Sequence, residues 1–246
     1  MSEQFLEKPN LPAGPVSCVI VSAVKSAVIE ALHRMGIRTI SPQRLPYIQG
    51  AEAWHADMGV CDRGGGKLLV ASQMDEATVK LLRSEGTAVT FTQHPVTAEA
   101  PLLNVCYLGN RLLCHPGTTA PELLTHEHII PTRQRYAGCC TAVVSENAVI
   151  TSDPSISRNC TKAGIDVLTI RPGHIRLDGY AYGFIGGCCG LLSPNLLAFS
   201  GNLACHPDNE AIQAFTNLHN VDIISLSQEP LYDIGAIIPL RNYIKC

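Results

Sequence analysis

The sequence predicts an α/β fold in which about five copies of one strand, strand, helix, strand unit close into a ring with pseudo-fivefold symmetry. Three observations carry this reading: four helix-ending junctions share one design, hairpin patterns recur ahead of them, and the chain lacks one strand at its start while carrying a spare one at its end.

The junctions are Gly36-Ile37-Arg38-Thr39-Ile40, Gly86-Thr87-Ala88-Val89-Thr90-Phe91, Gly164-Ile165-Asp166-Val167-Leu168-Thr169-Ile170 and Asn220-Val221-Asp222-Ile223-Ile224-Ser225-Leu226. In each, Gly or Asn suits the left-handed conformation that ends a helix, and the β-branched run after it predicts a buried strand. Upstream, Val24, Ala27, Val28, Ala31, Leu32 and Met35 fall on one helical stripe, and over 208–219 Ala211, Ile212, Phe215 and Leu218 fall on another. Asp153 followed by Pro154 reads as an N-cap with proline at the first helical position.

Two short strands joined by a turn precede the helices at 58–61 with 67–71, 105–108 with 111–114, 141–145 with 148–151, and 190–192 with 196–200. Units are expected at about 18–58, 59–104, 105–139, 140–187 and 188–240 within a single domain. The third is irregular, because 116–130 has weak helical periodicity and predicts a short or absent helix. The first unit begins at Cys18-Val19-Ile20-Val21 without a first hairpin strand, and Ile237-Ile238-Pro239-Leu240 is left over, so these two are expected to pair and remove a sheet edge. The competing architecture is a layered α/β domain with coincidental repetition.

Composition narrows the function. The 246 residues are 46% hydrophobic and 16% charged, with 20 Gly and 16 Pro, which describes many buried strands and turns. A net charge of −3 with no Lys/Arg stripe argues against nucleic acid as a partner. The first eight residues have neither a basic nor an apolar signal region, which predicts a cytoplasmic protein. The apolar stretch 181–199 is broken by Gly183, Gly186, Gly187, Gly190 and Pro194, so no membrane span is expected. Eleven cysteines, an odd number, predict reduced thiols. No two cysteines lie two to four residues apart, and His126 and His128 sit in a polar segment, so neither a metal nor a cofactor is expected.

In a ring of such units, the segments leaving each third strand converge on one end of the axis. They are Trp54-His55-Ala56-Asp57-Met58, Leu103-Asn104, Tyr136-Ala137-Gly138-Cys139-Cys140, Gly186-Gly187-Cys188-Cys189 and Tyr232-Asp233-Ile234-Gly235. Together they offer a thiol, an imidazole and carboxylates, the set that nucleophilic catalysis with a positioned base requires. Gly64-Gly65-Gly66 reads as a hairpin turn, and His174 and His206 as loop hydrogen-bonders.

With His-x-Asp in one unit and Gly-Cys two units later, the chain resembles the pentein, or guanidine-modifying, superfamily of deiminases, dimethylarginine hydrolases and amidinotransferases. His55-Ala56-Asp57-Met58 resembles its histidine motif, and 136–153, 173–190 and 228–240 resemble an uncharacterised bacterial branch. The resemblance implies that His55 is the acid/base and that Asp57 grips a guanidinium. It also implies that the nucleophile lies in unit three, Cys139 or Cys140 rather than Cys188 or Cys189. Cys139, which follows Gly138, is preferred.

Where the enzymes of known reaction carry Arg-Asp and, a unit later, Glu-Gly-Gly, this chain has Gly187-Cys188 and Asp233-Ile234-Gly235. Asp233 is the candidate replacement acid, and Asn104 joins Asp57 and Asp233 as candidate substrate-binding residues. The implied function is a hydrolase or transferase that acts on a small cationic guanidine or amidine through a covalent cysteine intermediate. The rival reading is a non-catalytic pentein resembling the translation factor that keeps ribosomal subunits apart, and a third is a thiol-based redox or metal protein.

Overall fold

The computed structural model describes residues 2–46 and 48–244. The chain is mixed α/β, with its strands in five small sheets. It begins with β1 (Ser2–Phe5), which the sequence did not announce, followed by β2 (Val16–Val21), α1 (Ser26–Arg34) and β3 (Arg38–Ile40). One helical turn, α2 (Ala56–Gly59), leads into β4 (Val60–Asp62), β5 (Lys67–Val70), α3 (Glu76–Ser84) and β6 (Ala88–Phe91). Next come β7 (Cys106–Leu108), β8 (Arg111–Cys114) and β9 (Ile129–Pro131), with turns and no helix between the last two. The fourth group is β10 (Thr141–Ser145), β11 (Ala148–Thr151), α4 (Pro154–Lys162) and β12 (Asp166–Thr169). The last is β13 (Cys189–Ser193), β14 (Leu196–Phe199), α5 (Asn209–Leu218), β15 (Asp222–Ser225) and β16 (Ile237–Ile244).

Four sheets pair three consecutive strands in chain order, first to second antiparallel and second to third parallel. In the remaining sheet, β1-β16-β2-β3, the first-strand position is filled by β16 from the far end of the chain. It runs antiparallel to β2, with Ile238 opposite Ile20 and Pro239 opposite Val19. No ladder joins one sheet to another among the described residues, so the sheets do not form a closed barrel. They meet by packing of their first strands, β7 on β10, β10 on β13 and β13 on β16.

Local chemistry explains the elements. Asp153 caps α4 by accepting from the N–H groups of Ser155 and Ile156, with Pro154 at the first helical position, and Asp75 caps α3 by accepting from Thr78 N–H. Gly36, Gly86, Gly164 and Asn220 all have positive φ, at 76, 87, 75 and 57°, and end their helices as the junction pattern requires. The second strands are covered on both faces, and Leu68, Leu69 and Val70 of β5 are all buried, as are all four residues of β11. Gly64, Gly65 and Gly66 turn β4 into β5.

Several expectations need correction. The strands after the helix-ending junctions are not buried: β3, β6, β12 and β15 are outer edge strands, paired on one side and mostly part-exposed. Helix α5 buries Ile212 and Thr216 while Leu218 is 73% exposed, because it covers the sheet through a narrower face than its apolar residues suggest. In α1, Val28, Ala31 and Leu32 are buried, while Val24 and Met35 fall just outside the helix at its two ends and stay exposed. Met58 belongs to α2, so the strand expected from residue 58 begins only at Val60. The ten described cysteines are all free, and all but Cys205 are buried; Cys246 lies outside the described residues. No helix among the described residues is long and apolar enough to cross a membrane.

Candidate active site

Backbone hydrogen bonds tie four segments together just ahead of the first strands. Gly187 N–H donates to the Cys139 carbonyl at 2.9 Å, and the Gly187 carbonyl accepts from Ile234 and Ala236, each at 2.9 Å. The Gly235 carbonyl then accepts from Asp57 N–H at 3.3 Å. This network brings together side chains that are far apart in the sequence. His55 stands between a short 3-10 turn, Ala51–Trp54, and α2, whose first turn holds Asp57. Cys139 lies in the turn just before β10.

The Cys139 thiol donates to Asp57 Oδ2 at 2.8 Å. Asn104 holds the same residue from the other side, accepting from Cys139 N–H at 3.0 Å and placing its Nδ2 3.2 Å from Sγ. Both ends of the Asn104 side chain therefore face Cys139, which makes it a residue that positions the thiol. One ligating atom from each of His55, Asp57 and Cys139 lies within 4.8 Å of the others, a spacing that would also suit a metal ion.

Asp233 is fully buried, and His55 Nε2 lies 3.7 Å from its Oδ1. Its two oxygens accept from the N–H groups of Gly235, at 3.1 Å, and Phe184, at 2.9 Å. Sequence reasoning expects Asp233 on the substrate, and in the structure the side chain nearest its carboxylate in the site is the His55 imidazole. Room for it comes from absent side chains: a Cβ on Gly187 would overlap the Asp233 carboxylate, and one on Gly235 would overlap His55.

Burial, and after it the Asp57 and Asp233 carboxylates, push the Cys139 thiol well above its ordinary value, so it is a protonated hydrogen-bond donor here. Burial also raises Asp233, with His55 opposing. The other candidate cysteines lack this setting. Cys140 is buried and pushed up by burial, and Cys188 donates to the Ile185 carbonyl at 3.1 Å. Iodoacetamide is expected to label the exposed Cys205 first and to leave Cys188 and Cys189 unmodified in the folded protein. Peptide mapping checks this, and modification of Cys188 ahead of Cys139 would move the nucleophile.

A carboxylate that the sequence reading missed, Glu52, stands three residues before His55 and is 8% exposed. The Tyr136 hydroxyl lies 3.1 Å from its Oε1, and the Tyr180 hydroxyl donates to its Oε2. Burial, with Glu52 beside it, pushes the Tyr180 phenol up to about 12. Tyr136 and Phe184 pack at 6.4 Å between ring centres, and Tyr182 meets Phe184 edge-on. A Glu followed by His at i+3 is the only local sign of this group, since Tyr180 is 128 positions away.

Residues 19–238 match the model of a family of unknown function, DUF6873. No curated protein matches the chain. Among solved structures, an amidinotransferase from Microseira wollei in the saxitoxin biosynthetic pathway is similar at TM-score 0.58 and 10% identity, over 91% of each chain. The inosamine-phosphate amidinotransferase of Streptomyces griseus gives 0.56 and 13% over 96% of each. The agmatine deiminase of C. jejuni gives 0.55 and 11%, over 92% of this chain and 91% of that one. At such identities the likeness is one of fold.

Proposed function

Proceeding from a chain that belongs to the DUF6873 family and has the pentein fold, we propose that it acts on a small cationic guanidine or amidine through a covalent Cys139 intermediate. The observation that carries this is the buried cluster of a thiol, an imidazole and a carboxylate within 4.8 Å, drawn from the segment ahead of β4 and the turn ahead of β10. On the same reading the five sheets are five units about one axis, with this cluster at one mouth.

The chemistry follows from the contacts. A planar guanidinium presents N–H donors that compete with the Cys139 S–H for Asp57. The thiol proton passes to His55, and the thiolate attacks the central carbon of the guanidinium. His55, held as an imidazolium beside Asp233, returns the proton to the departing nitrogen, and the C–N bond breaks. Neutral His55 then takes a proton from water, whose oxygen bonds to the same carbon and expels the thiolate. In a transferase, an acceptor amine replaces the water. Substrate-driven ionisation is required because the ligand-free site holds the thiol protonated.

The test is turnover and trapping with arginine, agmatine and simple alkylguanidines. Cys139→Ser is expected to lower turnover by at least about 10³-fold, as removal of a nucleophile does. Mass spectrometry of the quenched wild type should find an amidino adduct on the Cys139 peptide. Turnover that survives Cys139→Ser unchanged rejects the reading.

A further inference from the structure

Glu52 is buried in the 3-10 turn just ahead of His55, whose N–H donates to the Glu52 carbonyl at 3.0 Å. Among the described residues no ion pair includes its carboxylate. Its partners are two phenols, Tyr136 at Oε1 and Tyr180 at Oε2. Burial, together with Glu52 itself, raises both phenols, so each keeps its hydrogen. The Tyr136 hydrogen has a second acceptor, the Ala98 carbonyl at 2.7 Å, and one hydrogen cannot fully serve both. A buried carboxylate with so few donors and no cation costs stability, so its place in the molecule calls for another reason.

The reason lies in where its partners lead. Tyr136 stands three residues ahead of Cys139, and its carbonyl accepts from Cys140 N–H at 3.0 Å. Tyr180 lies in the loop 176–182, which Gly183 N–H closes on the Ile175 carbonyl at 2.8 Å. Phe184, next in the chain, donates from its N–H to Asp233 and packs its ring against Tyr136. A Cβ on Gly183 would overlap Asp233, so this loop ends directly against that residue. One carboxylate thus joins the segment of His55, the segment of Cys139 and the loop that ends on Asp233. We propose that Glu52 is a positioning residue, a clamp that sets His55 and Cys139 relative to each other by holding Tyr136 and Tyr180 together. That its loss shows in turnover rests on the reaction proposed above; the clamp itself does not, since it is built from contacts outside the reacting atoms.

The experiment compares Glu52→Ala, Glu52→Gln and Tyr136→Phe in the full chain. Tyr136→Phe keeps the ring against Phe184 and removes only the hydroxyl. It is expected to lower kcat by about 10–100-fold, as misplacement of reacting groups does, with KM within about twofold of wild type. Its melting temperature should fall by no more than about 4 °C, the effect of one lost hydrogen bond in a chain of this size. Glu52→Ala should lower kcat as far. Glu52→Gln should keep kcat within about threefold of wild type, because its amide can accept from Tyr180 and donate to Tyr136, leaving the Tyr136 hydrogen to Ala98. Amide hydrogen exchange reads the clamp without turnover. The N–H groups of His55 and Gly187, which donate to the Glu52 and Cys139 carbonyls, should exchange about tenfold faster in Glu52→Ala and Tyr136→Phe and at the wild-type rate in Glu52→Gln. Wild-type exchange in both Glu52→Ala and Tyr136→Phe overturns the proposal. So does a Glu52→Gln protein as impaired in kcat as Glu52→Ala, which would make the charge of Glu52 the working part. Guanidine turnover left unchanged by Tyr136→Phe rejects the clamp alone, and faster exchange in a chain that turns over no guanidine rejects only the proposed reaction.

Discussion

A haloacetamidine is expected to alkylate Cys139 at least tenfold faster than the corresponding neutral haloacetamide, after each rate is divided by that reagent's rate with a free thiol. The neutral reagent meets a thiol kept protonated by burial and by Asp57 and Asp233. Its rate should keep climbing with pH beyond the range where an exposed cysteine levels off, because a raised pKa moves the appearance of thiolate to higher pH. The amidinium brings its own positive charge to Asp57, so its rate should level off at lower pH. Each unit by which the thiol falls is a tenfold gain in thiolate while the thiol form dominates. Asp57→Asn should bring the two normalised rates within about twofold. Equal rates in the wild type would mean that the site does not recognise a planar cation, and the binding-protein reading would then stand in place of the enzyme.

The second large effect concerns β16. A chain ending at residue 236 is expected not to fold at 25 °C, with no cooperative melt by circular dichroism and rapid proteolysis. β16 lies between β1 and β2, and Ile237, Ile238 and Leu240 are buried. Each such side chain contributes about 1.5–3 kcal/mol of burial. Losing three of them, and uncovering β2 as an open edge, consumes much or all of the roughly 5–15 kcal/mol that holds a domain folded. A Cβ on Gly190 would overlap the Ile237 carbonyl, so β13 loses its packing partner as well. A truncated protein that melts at the wild-type temperature would contradict this.

What was legible in the sequence followed from chemistry local to a few residues. The four helix ends at Gly36, Gly86, Gly164 and Asn220 were readable because few residues accept positive φ, and strands 111–114, 141–145 and 148–151 coincide with β8, β10 and β11. The outer strands were misread as buried because a β-branched run looks the same at an edge as at a centre, and only the partner count separates them. His55, Asp57 and Cys139 could be placed together because their segments run directly into the first strands of two sheets, β4 and β10. Glu52 and Tyr180 could not, since 128 positions separate them.

The overlap between position 187 and the Asp233 carboxylate also bears on how related sequences vary. A side chain at 187 and a carboxylate at 233 compete for one volume, so a larger residue at 187 would evict the Asp233 carboxylate. In this chain the absence of a side chain at 187 leaves the volume that the Asp233 carboxylate occupies beside His55. Across an alignment of the family, glycine at 187 and aspartate at 233 should be inherited together, and a chain that keeps only one of them should have lost the acid behind its histidine.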